Sequence, residues 1–168
     1  MYPREFFDTF WRPDIKDEVF VAMSFDSSLS QAWENIIRPG IEDTGLRPHR
    51  VDATRISGSI ITEIMDGIAH ARVILADLSS VQVSDIDKDK RFPNSNVMYE
   101  IGLAHALRQD SEVLLIRGDE AKLLFDVSTI RIHKYYQSDI VGSRKMIFTL
   151  INDALNEINI TRVTCPLF

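Results

Sequence analysis

Two carboxylates offer the most chemistry in this chain: Asp77, which closes the apolar run RVILADL, and Glu100, inside YEIGLAHAL. Glu100 falls in the first turns of a predicted helix, where the positive end of the helix dipole favours the ionised form. Above the rim of a sheet, such a carboxylate could attack a sugar carbon or stabilise an oxocarbenium-like centre. Asp77 would then handle protons or orientation, as in glycosidic cleavage. This chemistry requires no metal and no tightly bound cofactor. The competing reading is that both carboxylates cap loops or meet arginines.

Further polar and aromatic residues fall near the same predicted rim. Ser24 and Phe25 end the first predicted strand, and Arg50 and Asp52 end the second. Arg50 suits a phosphate or carboxylate partner, or a surface ion pair, and Arg55 shares that ambiguity. Asn96 either caps the helix of Glu100 or points a donor into a cleft, and the two roles are compatible. Tyr99 either stacks on a base or packs in the core. His49 and His70 have no convincing metal partners, His105 sits off the face of Glu100, and His133 lies near the end of the last predicted strand.

The elements that must position these residues follow from periodicity. The segment 18–25, EVFVAMSF, is almost continuously apolar, as expected of a central parallel strand covered on both faces. A helix is expected over 29–44, kinked or divided at Pro39 and stopped by Gly45. Residues 46–51 read as a second strand, and Pro48 favours an edge position. The stripe Ile60, Ile61, Ile64, Met65 and Ile68 marks a second helix, and 72–78 a third strand. The segment 79–94 reads as a long charged connection, a site loop or a lid. The Glu100 helix then runs to about residue 109, with Gly102 allowing close approach to the sheet or a ligand. Strands over 112–117 and 129–133, a short helical piece at 121–125 and a long helix over 139–158 complete the series.

Strands alternating with helices imply an α/β fold: a flavodoxin-like three-layer sandwich on a five-stranded parallel sheet, in the order 2-1-3-4-5. Ligands in that arrangement bind beyond the carboxyl ends of the strands, at the switch between the first and third. Residues 1–17 form an aromatic-rich N-terminal arm, and 18–168 form the domain.

At 168 residues the chain can bury one sizeable core, and 45% hydrophobic with 26% charged residues is ordinary for a globular domain. The formal charge of −6 argues against a nucleic-acid polymer as partner. One cysteine excludes an intrachain disulfide and suits a reducing compartment. With no signal-peptide pattern and no apolar run of membrane-spanning length, a cytoplasmic location and no membrane partner are expected. A GxGxxG fingerprint, a Walker A loop and a GxSxG elbow are all missing.

The segments VFVAMSF, WENIIRPGIEDTGLRPHRVD, ARVILADLS and NSNVMYEIGLAHAL, in that order, resemble the nucleoside 2-deoxyribosyltransferase-like and TIR-like superfamily over roughly residues 18–134. The resemblance implies an N-glycosidic bond hydrolase or transferase acting on a nucleoside, nucleotide or NAD. Glu100 would be its nucleophile and Asp77 its proton donor or orienter. Ser24, Phe25, Arg50, Asp52, Asn96 and Tyr99 would contact substrate. It also implies a homodimer or larger assembly. The alternative within the resemblance is a non-catalytic TIR-like nucleotide-sensing or protein-interaction module. A receiver domain or an electron-transfer flavodoxin shares the fold outline, but the paired acids after strand one are missing and nothing identifies a flavin phosphate loop.

Overall fold

The computed structural model describes residues 14–51, 60–82, 91–121 and 130–164. Five strands form one sheet: β1 (Lys16–Ala22), β2 (Arg47–His49), β3 (Ala71–Asp77), β6 (Val113–Arg117) and β7 (Ile132–Lys134). Their order is β2-β1-β3-β6-β7 and every pairing is parallel. This is the expected 2-1-3-4-5 sheet, with the Pro48 strand at the edge. Two short strands, β4 (Ser80–Gln82) and β5 (Arg91–Pro93), pair antiparallel in a separate sheet. A hairpin therefore occupies part of the segment read from sequence as a long connection, too short for the period-two signal to stand out.

Strand alternation divides the core in two. Val19, Val21 and Leu75 pack with Ile36, Ile37, Ile147 and Tyr135 on one face. Phe20, Ala22, Ile74 and Ala76 pack with Ile64, Ile68, Val97 and Ile101 on the other. The first face is covered by α1, spanning 27–42, and by α4 (Ile140–Thr164). The second is covered by α2 (Ile60–His70) and α3 (Ser95–Leu107). Double coverage explains why β1 and β3 read as continuous apolar runs rather than alternating ones.

Pro39 leaves its mark inside α1. The helix opens with the 3-10 turn Ser27–Leu29 and the α-helical Ser30–Ala32. It then widens into a π-helical turn, Trp33–Ile37, before the α-helical Arg38–Glu42. Arg38 donates its backbone N–H to the Trp33 carbonyl, five residues back. Proline has no N–H to continue the ordinary ladder, and the wider turn absorbs the mismatch. Gly45, with φ 81°, ends the segment in the left-handed conformation.

Arg108 fastens the second helical layer to the sheet. Its Nη1 donates to the carbonyls of Ile68 and Ala71 at 2.8 and 2.9 Å, and its Nε to Glu112 Oε2 at 2.8 Å. One guanidinium thereby satisfies carbonyls at the end of α2 and the start of β3.

Two glycines in this layer have opposite surroundings. A Cβ on Gly67 would overlap the buried Phe20 ring, whereas a Cβ on Gly102 meets nothing within 4 Å. The expected close approach at Gly102 is therefore not made; that glycine is exposed on α3. Gly102→Ala is expected to stabilise the fold by about 0.5–1 kcal/mol through helix propensity. Gly67→Ala is expected to destabilise it by about 1–3 kcal/mol through overpacking. Urea unfolding of the two variants checks the opposite signs.

Candidate functional site

A cleft of about 630 Å³ opens where β1, α2, the β4–β5 hairpin and the start of α3 meet. Its walls are mainly apolar, with Val21, Met23, Ile64 and Val97 among the contributors. Ser24, Asp26, Gln82, Asn94, Asn96 and Glu100 supply the polar groups. This is the rim where the β1 and β3 connections diverge, the position expected for a ligand in this strand order.

The β1 rim is a tight turn. Sheet pairing stops at Ala22↔Ala76, three residues short of the expected strand end at Phe25. Beyond it, the Asp26 N–H donates to Ser24 Oγ at 3.2 Å. Phe25 projects outward, 54% exposed, and Tyr99 on α3 is 58% exposed, so two aromatic rings flank the cleft. Tyr99 is therefore not a core residue.

α3 is capped by Asn94 rather than by Ser95 or Asn96. Its Oδ1 accepts the backbone N–H of Asn96 at 2.9 Å and of Val97 at 3.3 Å. Asn96, relieved of capping, is exposed and lines the cleft. Asn94 also reaches across the cleft, its Nδ2 donating to Ser24 Oγ at 3.3 Å. The N-cap preference for Asn was visible in the sequence; which of two asparagines filled the position was not.

Glu100 is half-buried one turn into α3. Burial pushes its carboxyl up to about 7, and the positive charge of Arg50 offsets only part of the effect. The sequence-based expectation of a firmly ionised carboxylate is thus reversed. A helix dipole contributes about 0.3–1 kcal/mol, less than the cost of withdrawing a carboxylate from water. A carboxyl with this pKa can hold or release a proton near neutral pH.

Arg50 turns toward the β1 rim. Its Nη2 donates to the Ser24 carbonyl at 2.7 Å, and its guanidinium lies 3.8 Å from the Phe25 ring centroid and 5.0 Å from that of Trp33. It braces Ser24 and Phe25 by charge and stacking. Asp52 and Arg55 lie outside the described residues, as does all but the first residue of the expected helical piece at 121–125.

Asp77 does not join Glu100 in the cleft. It is 2% exposed and points to the Tyr135 face of the sheet. Its Oδ1 accepts Ser79 N–H at 2.9 Å and Ser79 Oγ at 2.5 Å, and its Oδ2 accepts the Tyr135 hydroxyl at 2.9 Å. Burial raises its pKa above the usual carboxylate range, opposed by these donors. The Tyr135 hydroxyl is itself raised, by burial and then by the Asp77 charge. Ser79 Oγ also accepts the Gly118 N–H at 2.8 Å, closing a knot that ties β3 to β6 and to the residue after β7. His133 lines a different cavity on the far side of the sheet edge, together with His105 and Arg131. Burial, then Arg131, lowers its pKa. Among the described residues no group of three or more His, Cys, Asp or Glu could hold a metal ion, and no helix is long and apolar enough to cross a membrane.

No family model matches the chain, and no curated protein does. Solved structures do. The metal-soaked Flv1 flavodiiron core from Synechocystis sp. PCC6803 is similar over 92% of this chain and 39% of its own, with a TM-score of 0.56 and 9% identity. A diflavin flavoprotein A3 from Nostoc sp. is similar over 91% of this chain and 99% of its own, with a TM-score of 0.51 and 12% identity. At such identities the likeness shows the flavodoxin-like fold. The chain spans well under half the length of the first of them.

These findings correct the family expectation. The neighbours are flavodiiron and diflavin proteins, not deoxyribosyltransferases or TIR domains. The glycosidase or transferase activity, the nucleoside, nucleotide or NAD partner and the TIR-like sensing or protein-interaction alternative are withdrawn with the resemblance that implied them. The homodimer it implied goes too. The physical reason sits at Asp77: the second carboxylate the chemistry needed is sealed behind the sheet by Ser79 and Tyr135.

Two outcomes follow from these electrostatics. Tyr135→Phe removes a donor from a buried carboxylate and is expected to cost about 1.5–3 kcal/mol in urea unfolding at pH 7. For Glu100, the folded pKa of about 7 lies above the ordinary 4.5. Its contribution to stability is full below about pH 4.5 and is lost as pH rises through 7. Glu100→Gln has no such loss. It should match the native protein at pH 4 and exceed it by about 1–2 kcal/mol at pH 8, after allowance for partial solvent screening.

Proposed function

We propose that this domain binds a small, flat, largely apolar molecule in the cleft between β1, α2 and α3, with affinity linked to the protonation of Glu100. The observation that carries this reading is a half-buried carboxyl, with a pKa of about 7, beside an apolar cleft flanked by two exposed aromatic rings. Concave sites of this size, apolar with a few convergent polar groups, are the usual form of small-molecule sites. Phe25 and Tyr99 offer faces for stacking, and Ser24, Asn96 and Glu100 offer edges for hydrogen bonds. The cytoplasm suits a chain with a single cysteine.

The structural neighbours, a flavodiiron core and a diflavin flavoprotein, raise flavin as a ligand. In this strand order FMN binds at the same switch point, and a helix N-terminus is the seat for its phosphate. Here that seat is taken. Asp26 Oδ1 accepts the Ser28 N–H at 2.9 Å and Ser28 Oγ at 2.6 Å, and the Asp26 carbonyl accepts the Leu29 N–H at 3.0 Å. The Ser28 and Leu29 donors are engaged, and a carboxylate stands where a phosphate dianion would come. These residues do not fit a phosphorylated flavin.

A library of uncharged planar aromatic fragments, followed by backbone amide shifts of Ser24, Val97 and Tyr99 across pH 5.5–8.5, tests the proposal. Below about pH 7 the neutral carboxyl can be covered by a fragment without burying a charge. Affinity is expected to fall about tenfold above that pH, and Glu100→Gln should keep the low-pH affinity throughout. Fragments that bind elsewhere, or an affinity indifferent to pH in the native protein, would refute it.

A further inference from the structure

Ser24 is 8% exposed yet lines the cleft. A hydroxyl has two lone pairs to accept with and one proton to give. Both acceptor positions of Ser24 Oγ are used, by Asn94 Nδ2 at 3.3 Å and by the Asp26 N–H at 3.2 Å. The Asn94 amide cannot be turned over, because its Oδ1 already accepts the N–H groups of Asn96 and Val97. The nitrogen must therefore face Ser24, and Ser24 must accept from it. What remains is the hydroxyl proton, and no group among the described residues accepts it.

We infer that Ser24 is the specificity-determining donor of the cleft, and that its ligand is a flat aromatic ring system carrying a neutral hydrogen-bond acceptor, a ring nitrogen or carbonyl, at the edge facing Ser24. This rests on the binding role proposed for the same cleft. Val21, Met23 and Val97 take the body of the ring, and the Ser24 proton selects among rings of one shape. A ring without an acceptor would cover the hydroxyl and leave its proton unpaired, which a buried donor resists. Asn94 acts as a positioning residue. By occupying a lone pair of Ser24 it restricts where the proton can point, and by capping α3 it sets the distance of that helix from β1. Arg50 holds the Ser24 carbonyl from the other side.

Isoquinoline and naphthalene have the same shape and differ in one ring nitrogen. Both are titrated at pH 8, where isoquinoline is uncharged, against the full chain, with amide shifts around the cleft as readout. Isoquinoline is expected to bind about tenfold more tightly than naphthalene. Ser24→Ala should bring the ratio to about one by tightening naphthalene, which then covers no unpaired proton, a selectivity change that mere loosening of the fold does not produce. Ser24→Cys keeps a side chain of similar size with a weaker donor; it should give an intermediate ratio, and it carries the test if the alanine variant does not fold. Equal affinities in the native protein, or a ratio that survives both substitutions, would overturn the role of Ser24 while leaving the cleft a binding site. If neither compound shifts the cleft amides in the native chain or in Glu100→Gln, which keeps the low-pH affinity at pH 8, the binding role fails and this inference with it.

Discussion

A carboxylate at the end of a strand buried on both faces must find its hydrogen bonds inside the protein, and Asp77 sets the rim of this fold by doing so. The central position of β3 withdraws Asp77 from water, and several kcal/mol would be lost if its lone pairs stayed empty. Ser79 turns back to supply two donors, and Tyr135, just past β7, supplies the third. Gly118 then closes on Ser79, so the ends of β3, β6 and β7 are fastened by one polar knot. With that side of the rim closed, the open side lies between β1 and α3, and the cleft forms there.

The fold was legible because its signals are long and repetitive. Continuous apolar runs named β1 and β3 as central, Pro48 named β2 as an edge, and helical stripes placed α2 and α4. The site was legible only in part. Ser24, Phe25, Asn96, Tyr99 and Glu100, singled out because they end a strand or begin a helix, all line the cleft. Asp77 met the same criterion and is absent from it. The parity of β3 carried the missing signal: Ile74 and Ala76 face α3, so Asp77, an odd number of residues from both, faces the other helical layer. Asn94 and Gln82 were missed because one sits in a run of candidate caps and the other in a three-residue strand.

Glu100 shows why helix position alone is a poor guide to charge. The dipole argument concerns an exposed first turn, where solvent pays most of the cost of the charge. Here the first turn of α3 leans over an apolar cleft, and desolvation outweighs both the dipole and the nearby Arg50. The guanidinium acts on Glu100 through its charge and lowers its pKa only in part. Its nearest ring contact is Phe25, and it donates to the Ser24 carbonyl.

The same fold with a different first loop need not bind the same ligand. The flavodoxin-like sheet fixes where a ligand can sit, but what sits there is decided by which donors the rim leaves unspent. In this chain the loop after β1 spends its backbone donors on Asp26, while Asn94 and Asp26 together fill the acceptor capacity of Ser24. An anion is thereby disfavoured, and a neutral acceptor is favoured within a few ångströms of the same turn. Ser24 and Asp26, two residues apart on the turn after β1, thus convert a generic switch-point cleft into one with a preference, and the preference follows from counting protons and lone pairs rather than from likeness to any neighbour.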